Sequence, residues 1–220
     1  LNMNPKWLKH FKSRDISALV NLARQNPRAC TVPCPRGWTL PMHCANEGNS
    51  TAPCLKRVLE ALPAKHLLVK HLDATGTVYE VTPGGGIGDT QKSALCMAVT
   101  LNHEAIVTVL LHHGATPDWQ CLFAATSLGY VFLIDQLLSH GADVSAVSPH
   151  RFTALHIAAR DGQHCALETL ARWKAPDLLN RSGESALYVA ASRRDLAAVV
   201  LLISNGYYGD GLDPVLNLAV

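Results

Sequence analysis

In four successive stretches of the chain a leucine is followed three residues later by an alanine. The pairs are Leu95 and Ala98, Leu122 and Ala125, Leu155 and Ala158, and Leu187 and Ala190, with leucine spacings of 27, 33 and 32 residues. Seven residues after each leucine stand Asn102, Gly129, Gly162 and Arg194, and the turn closing each stretch holds Gly114, Gly141, Lys174 and Gly206. A period in this range constrains the fold more than composition can. Each unit is one supersecondary element that cannot bury its apolar side alone, so neighbours must stack to make a core. Alanines at fixed places let helices of adjacent units approach closely, and leucines fill the space between them.

Composition narrows the classes further. The 220 residues are 48% hydrophobic and 16% charged, too apolar for a disordered chain and sufficient for a sizeable core. Nineteen Lys and Arg stand against seventeen Asp and Glu, a net charge of +2. So even a balance argues against a dedicated nucleic-acid binder, which carries a basic stripe. No apolar run approaches the roughly 20 residues that cross a bilayer. Lys6, Lys9, Lys12 and Arg14 interrupt the first hydrophobic stretch, so no secretory signal is read there. The chain opens on Leu1, and the expectation is a piece of a longer polypeptide. Its seven cysteines are odd in number and irregular in spacing. They read as free thiols, most of them small core residues, in a reducing, cytoplasmic setting.

The segment Thr153-Ala154-Leu155-His156-Ile157-Ala158-Ala159-Arg160-Asp161-Gly162, with Leu137-Leu138 and Gly141-Ala142-Asp143 before it, resembles the ankyrin repeat. The resemblance covers about residues 91–208. It implies two short antiparallel helices and a turn per unit, in an all-α ankyrin-repeat solenoid of about six units. The expected units are 5–36, 37–90 with an insertion, 91–118, 119–147, 148–180 and 181–210, with a partial unit or cap at 211–220, all in one domain. Thr153 lies where a hydroxyl caps a helix. The resemblance also gives His156 the task of tying neighbouring repeats, and His43 the same task. Cys96, Phe123 and Tyr188 replace that histidine elsewhere.

Toward the N-terminus, Trp7 to Phe11 and Asp15 to Ala23 read as two helices of a capping repeat, with Arg14 and Leu22 in the register of Arg194 and Leu202. The next unit runs from Gly37, with its second helix at Pro53 to Leu62. About 20 residues are inserted after it, relative to a repeat of about 33. His66 to Leu72 and Thr77 to Thr82 read as strands around a turn at Asp73–Gly76, so a β-hairpin is expected near 66–82. Pro83 to Gly88 breaks structure. The link from Gly114 to Leu122 is short, which leaves Trp119 near the surface. Pro214 to Ala219 restarts the leucine–alanine pattern as a cap or a further repeat.

Sites for chemistry are scarce. Cys30, Cys34, His43 and Cys44 match no common zinc spacing, so the chain is read without a metal. The glycines of 83–88 lack the ending and context of a phosphate loop, and no cofactor or small-molecule substrate is expected. No local signature pairs a nucleophile with a base, so the chain is read as non-enzymatic. Six arginines, Arg151, Arg160, Arg172, Arg181, Arg193 and Arg194, could face nucleic acid, but the near-neutral charge favours an acidic protein.

What the resemblance implies for function is protein recognition through a concave surface of fingers and first helices. The residues that register places there are Trp119, Tyr130, His150, Arg151, Phe152, Arg160, Arg181, Glu184 and Arg193. The expected activity is recruitment of one specific protein partner, by a monomer, on behalf of another domain of the same polypeptide. Two alternatives are substrate recruitment for a bacterial effector that modifies a host protein such as a caspase by ADP-ribosyl-type transfer, and a nucleic-acid-associated regulator. The inserted hairpin is a second candidate for the binding site.

Overall fold

A computed structural model describes residues 5–34, 38–62, 75–81 and 87–208. The chain divides into two compact units, residues 1–116 and 117–220. The recurring positions of the sequence explain both. Leu95, Leu122, Leu155, Leu187 and the four alanines that follow them are all at most 1% exposed. The eight turn positions all take the left-handed conformation. Asn102, Gly129, Gly162 and Arg194 have φ of 56°, 72°, 68° and 58°, and Gly114, Gly141, Lys174 and Gly206 have 89°, 91°, 54° and 86°. A helix that stops on such a residue satisfies its last carbonyls and reverses the chain, which is how each helix pair is made.

The first unit contains α1 (Lys6–Lys12), α2 (Ile16–Gln25), α3 (Pro27–Thr31), α4 (Leu40–Glu47), a 3-10 turn (Asn49–Thr51) and α5 (Ala52–Ala61). A hairpin of β1 (Thr75–Val81) and β2 (Ile87–Ser93) follows, then α6 (Ala94–Thr100) and α7 (Glu104–His112). Helix α2 packs on α5, α5 on α7 and α4 on α6. The N-terminal pair keeps the register read from sequence. Arg14 has φ 55°, and Asp15 caps α2 by accepting from the Ala18 N–H at 2.9 Å. The short α3, which the sequence did not announce, is capped by Asn26 and carries Pro27 in its first turn.

The insertion forms its hairpin further along the chain than expected. β1 overlaps the expected strand at 77–82, and its antiparallel partner is 87–93, paired from Thr75 opposite Ser93 to Val81 opposite Ile87. The expected strand at 66–72 lies outside the described residues, as do Asp73 and Ala74, most of the glycine run and Pro214 to Ala219, whereas Thr75 and Gly76 of the expected turn belong to β1 instead. Ile87-Gly88-Asp89-Thr90-Gln91-Lys92-Ser93 is polar and lacks alternation, so nothing local marks it as a strand. Its last residue then caps α6, with Ser93 Oγ accepting from the Cys96 N–H at 3.2 Å.

His43 does not play the part of His156. Thr39 caps α4 by position, and the residue three beyond it is Met42, so the histidine comes one place too late to complete a capping box. Thr39 Oγ1 is buried with no hydrogen-bond partner among the described residues. The imidazole of His43 instead meets the rings of Trp7 and Trp38 at 5.3 Å and Phe11 at 5.9 Å.

The second unit is three helix pairs: α8 (Trp119–Ser127) with α9 (Val131–Ser139), α10 (Ala154–Asp161) with α11 (His164–Arg172), and α12 (Ala186–Ser192) with α13 (Leu196–Ser204). First helices stack on first helices, α8 on α10 and α10 on α12, and second helices stack likewise. Loops at 140–153 and 173–185 join the pairs and project as fingers.

Candidate protein-binding surface

The two fingers of the second unit are built on one turn. In the first, Arg151 N–H donates to Ser148 O at 2.8 Å, and Ser148 N–H donates to Phe152 O at 2.9 Å. In the second, Gly183 N–H donates to Asn180 O at 3.1 Å, and Asn180 N–H donates to Glu184 O at 2.9 Å. The tips are joined directly, because Arg181 N–H donates to His150 O at 3.2 Å. Asn180 is buried and locks its own turn, its Oδ1 accepting from Ser182 N at 2.8 Å and Glu184 N at 3.0 Å.

Behind the fingers, Thr153 and His156 form a reciprocal cap on α10. Thr153 N–H donates to His156 Nδ1 at 3.2 Å, and Thr153 Oγ1 accepts from the His156 N–H at 3.4 Å. The imidazole Nε2 then faces Glu184 O at 2.9 Å, so it carries the proton and ties one repeat to the next. Burial of His156 pushes its pKa below the ordinary imidazole value, outweighing the Glu184 carbonyl and the charges of Asp177 and Glu184. The side chain is therefore a neutral structural group.

The ends of the first helices carry a charge relay across repeats. Ser127 Oγ donates to Asp161 Oδ2 at 2.6 Å, and Arg160 grips the same carboxylate through Nε at 2.8 Å and Nη2 at 3.0 Å. Burial works against the charge on Asp161, but the hydrogen bonds of Arg160 and Ser127 and the charges of Arg160 and Arg193 win, so its pKa lies below the usual carboxylate value. Gln163 Nε2 donates back to Ser127 O at 3.1 Å, lying across Gly129. One step further, His164 Nε2 meets Asp195 Oδ2 at 2.8 Å.

The nine expected contact residues therefore fall into three kinds. His150, Arg151, Arg181 and Arg193 are exposed, and the three guanidinium groups among them make no ion pair with a described residue. Trp119, Tyr130 and Phe152 are half-buried, with Trp119 edge-on to Phe123 at 5.3 Å and Phe152 edge-on to His156 at 5.8 Å. Arg160 and Glu184 are engaged internally, Arg160 by Asp161 and the Glu184 carboxylate by Asn180 Nδ2 at 2.8 Å. Sequence reasoning placed both on the surface without their local partners, and Arg160 is exposed while Glu184 is half-buried. It also missed Asn180, although Asn-x-x-Gly at a finger is a turn signal. Among the described residues, no group of three His, Cys, Asp or Glu side chains is arranged to hold a metal ion.

Residues 121–213 match the family model for ankyrin repeats (3 copies). A stretch of 82 residues is 38% identical to the transient receptor potential cation channel subfamily A member 1 homolog of Caenorhabditis elegans. That stretch is 36% of this chain and 7% of the channel homolog, so the chain spans only a small part of that relative. Among solved structures, the ankyrin repeat domain of Bcl-3, described as a unique member of the IkappaB protein family, is similar in fold. The match has a TM-score of 0.65 and 23% sequence identity, over 86% of this chain and 78% of that one.

Proposed function

This chain is an ankyrin-repeat protein, and from that premise we propose that it recruits a specific protein partner through the fingers and first-helix ends of residues 117–208. Ankyrin repeats are protein–protein interaction modules, and what this reading adds is a specific partner and the surface that holds it. The observation that supports it is the joined pair of fingers, on which exposed His150, Arg151 and Arg181 stand beside the half-buried ring of Phe152. Arginine and aromatic side chains on a rigid scaffold are the composition of an interface hot spot. Recruitment serves another domain of a longer polypeptide in this reading, and seven free cysteines suit a reducing cytoplasm. No helix among the described residues is long and apolar enough to cross a membrane.

The test is affinity capture from cell lysate with wild type and a Trp119→Ala, Arg151→Ala, Phe152→Ala variant matched for thermal stability. A protein held by wild type and lost by the variant supports the finger surface. A protein held equally by both moves the site to the hairpin at 75–93 or to another face. Binding that follows nucleic acid and collapses steeply with salt sinks the protein-partner reading.

A further inference from the structure

We propose that Arg151 and Arg181 form a cationic anchor for an acidic, carboxylate-rich segment of the partner protein. This rests on the finger-surface reading above and names the chemistry of what binds there. The two fingers align residue for residue: Ser148 with Asn180, Arg151 with Gly183, Phe152 with Glu184 and Thr153 with Ser185, each closed by the same pair of backbone hydrogen bonds. The aligned Arg151 and Gly183 both have positive φ, 61° and 78°. Glycine adopts that conformation freely, whereas a residue with a Cβ is strained in it.

The other described non-glycine residues with positive φ have local reasons to be there. Arg14, Lys174 and Arg194 close α1, α11 and α12, where a cation meets the negative end of the helix dipole. Asn102 is a residue type that tolerates the left-handed region. Arg151 has neither reason. It lies two residues before the Thr153 cap, at the positive end of α10, so backbone and helix field both disfavour it.

Nothing inside the described molecule offsets that cost. The Arg151 guanidinium is exposed and makes no hydrogen bond or ion pair with a described residue, and the same holds for Arg181. The carboxylate of Glu184, on the second finger itself, is taken by Asn180. The backbone bond from Arg181 to His150 holds the two cations on adjacent tips. Strain kept at an exposed, unpaired cation points to a ligand outside the chain. Carboxylates accept two parallel hydrogen bonds from a guanidinium, and two such groups on joined tips suit an acidic peptide.

The experiment is fluorescence anisotropy of a labelled polyglutamate peptide with the full chain, alongside thermal unfolding. Arg151→Gly is expected to weaken peptide binding by about fivefold or more while raising the unfolding temperature, because the strain is relieved. Arg151→Lys should retain more affinity than Arg151→Gly, and Arg181→Ser should lose affinity without a change in stability. The inference is overturned if wild type does not bind the peptide, or binds it no better than Arg151→Gly does. It is also overturned if Arg151→Gly lowers the unfolding temperature, or if a single-stranded oligonucleotide of equal charge binds more tightly than the peptide. A protein captured from lysate and lost by the triple variant, with no polyglutamate binding, would sink the acidic anchor and leave the finger-surface reading standing.

Discussion

His156 shows how much one side chain carries. It is fully buried, completes the cap with Thr153 and reaches Glu184 O across the repeat boundary. Replacing it with Ala leaves a cavity and a buried Thr153 N–H without its partner, while Glu184 O keeps the Asn180 N–H, at an expected cost of about 2–4 kcal/mol by denaturant unfolding. Its protonation sets a pH dependence. The folded pKa lies below the ordinary imidazole value of 6.5, so in the window just under 6.5 the unfolded chain binds the proton and the folded chain does not. Stability should therefore fall as pH drops through that window, and His156→Gln should flatten the fall in a pH series of unfolding midpoints. Asp161 and Asp195, both held below the ordinary carboxylate value of 3.8, give a separate loss in more acid solution, because the folded state favours their charged forms. Lys174 gives the opposite kind of test. It holds φ 54° at the end of α11, where Gly114, Gly141 and Gly206 stand in the other units. Lys174→Gly should raise stability by about 0.5 kcal/mol, the relief of left-handed strain exceeding the extra freedom of the unfolded chain.

At the scale of the helix, start signals are local, although only Thr153 was read as a cap from sequence. Ser93, Asp118, Thr153 and Ser185 cap the first helices, and Asp15 and Asp195 cap α2 and α13, each accepting from the N–H three residues on. Asp118→Ala and Ser185→Ala should each cost about 1 kcal/mol, measured as a shift of the unfolding midpoint, with double substitution near the sum. The left-handed stops were legible, since a Gly, Asn or basic residue at a fixed distance marks the point where a helix ends. What escaped was β2, whose polar, glycine-containing sequence pairs because β1 lies opposite it. Also missed was the displacement of His43 by a single residue, which turns its ring by about 100° around the helix and exchanges a capping partner for three aromatic rings.

At the scale of the molecule, the distribution of thiols gives a direct test of both units. Six cysteines are buried and only Cys165 is exposed. Burial raises the Cys30 thiol to about 11 and also pushes up those of Cys44 and Cys54, so they are poor nucleophiles in the fold. A thiol reagent should label one cysteine quickly in the native protein and all seven in denaturant; rapid labelling of two or more in native buffer would contradict this packing. The sequence by itself determined the repeat register, the helix pairs, their caps and the turn positions. Those features depend on residues three to ten apart, so periodicity and backbone preference decide them. The tertiary structure alone decided which surface groups remain free. Arg160 is taken by Asp161, which also binds Ser127 from the preceding repeat, the Glu184 carboxylate is taken by Asn180 while its backbone carbonyl accepts from His156, and Arg151 and Arg181 are left open on joined tips. The bonds that cross between repeats, from Ser127 to Asp161, from His156 to the Glu184 carbonyl and from Arg181 to His150, form only once the units have stacked, and they hold the local charge pairs in place.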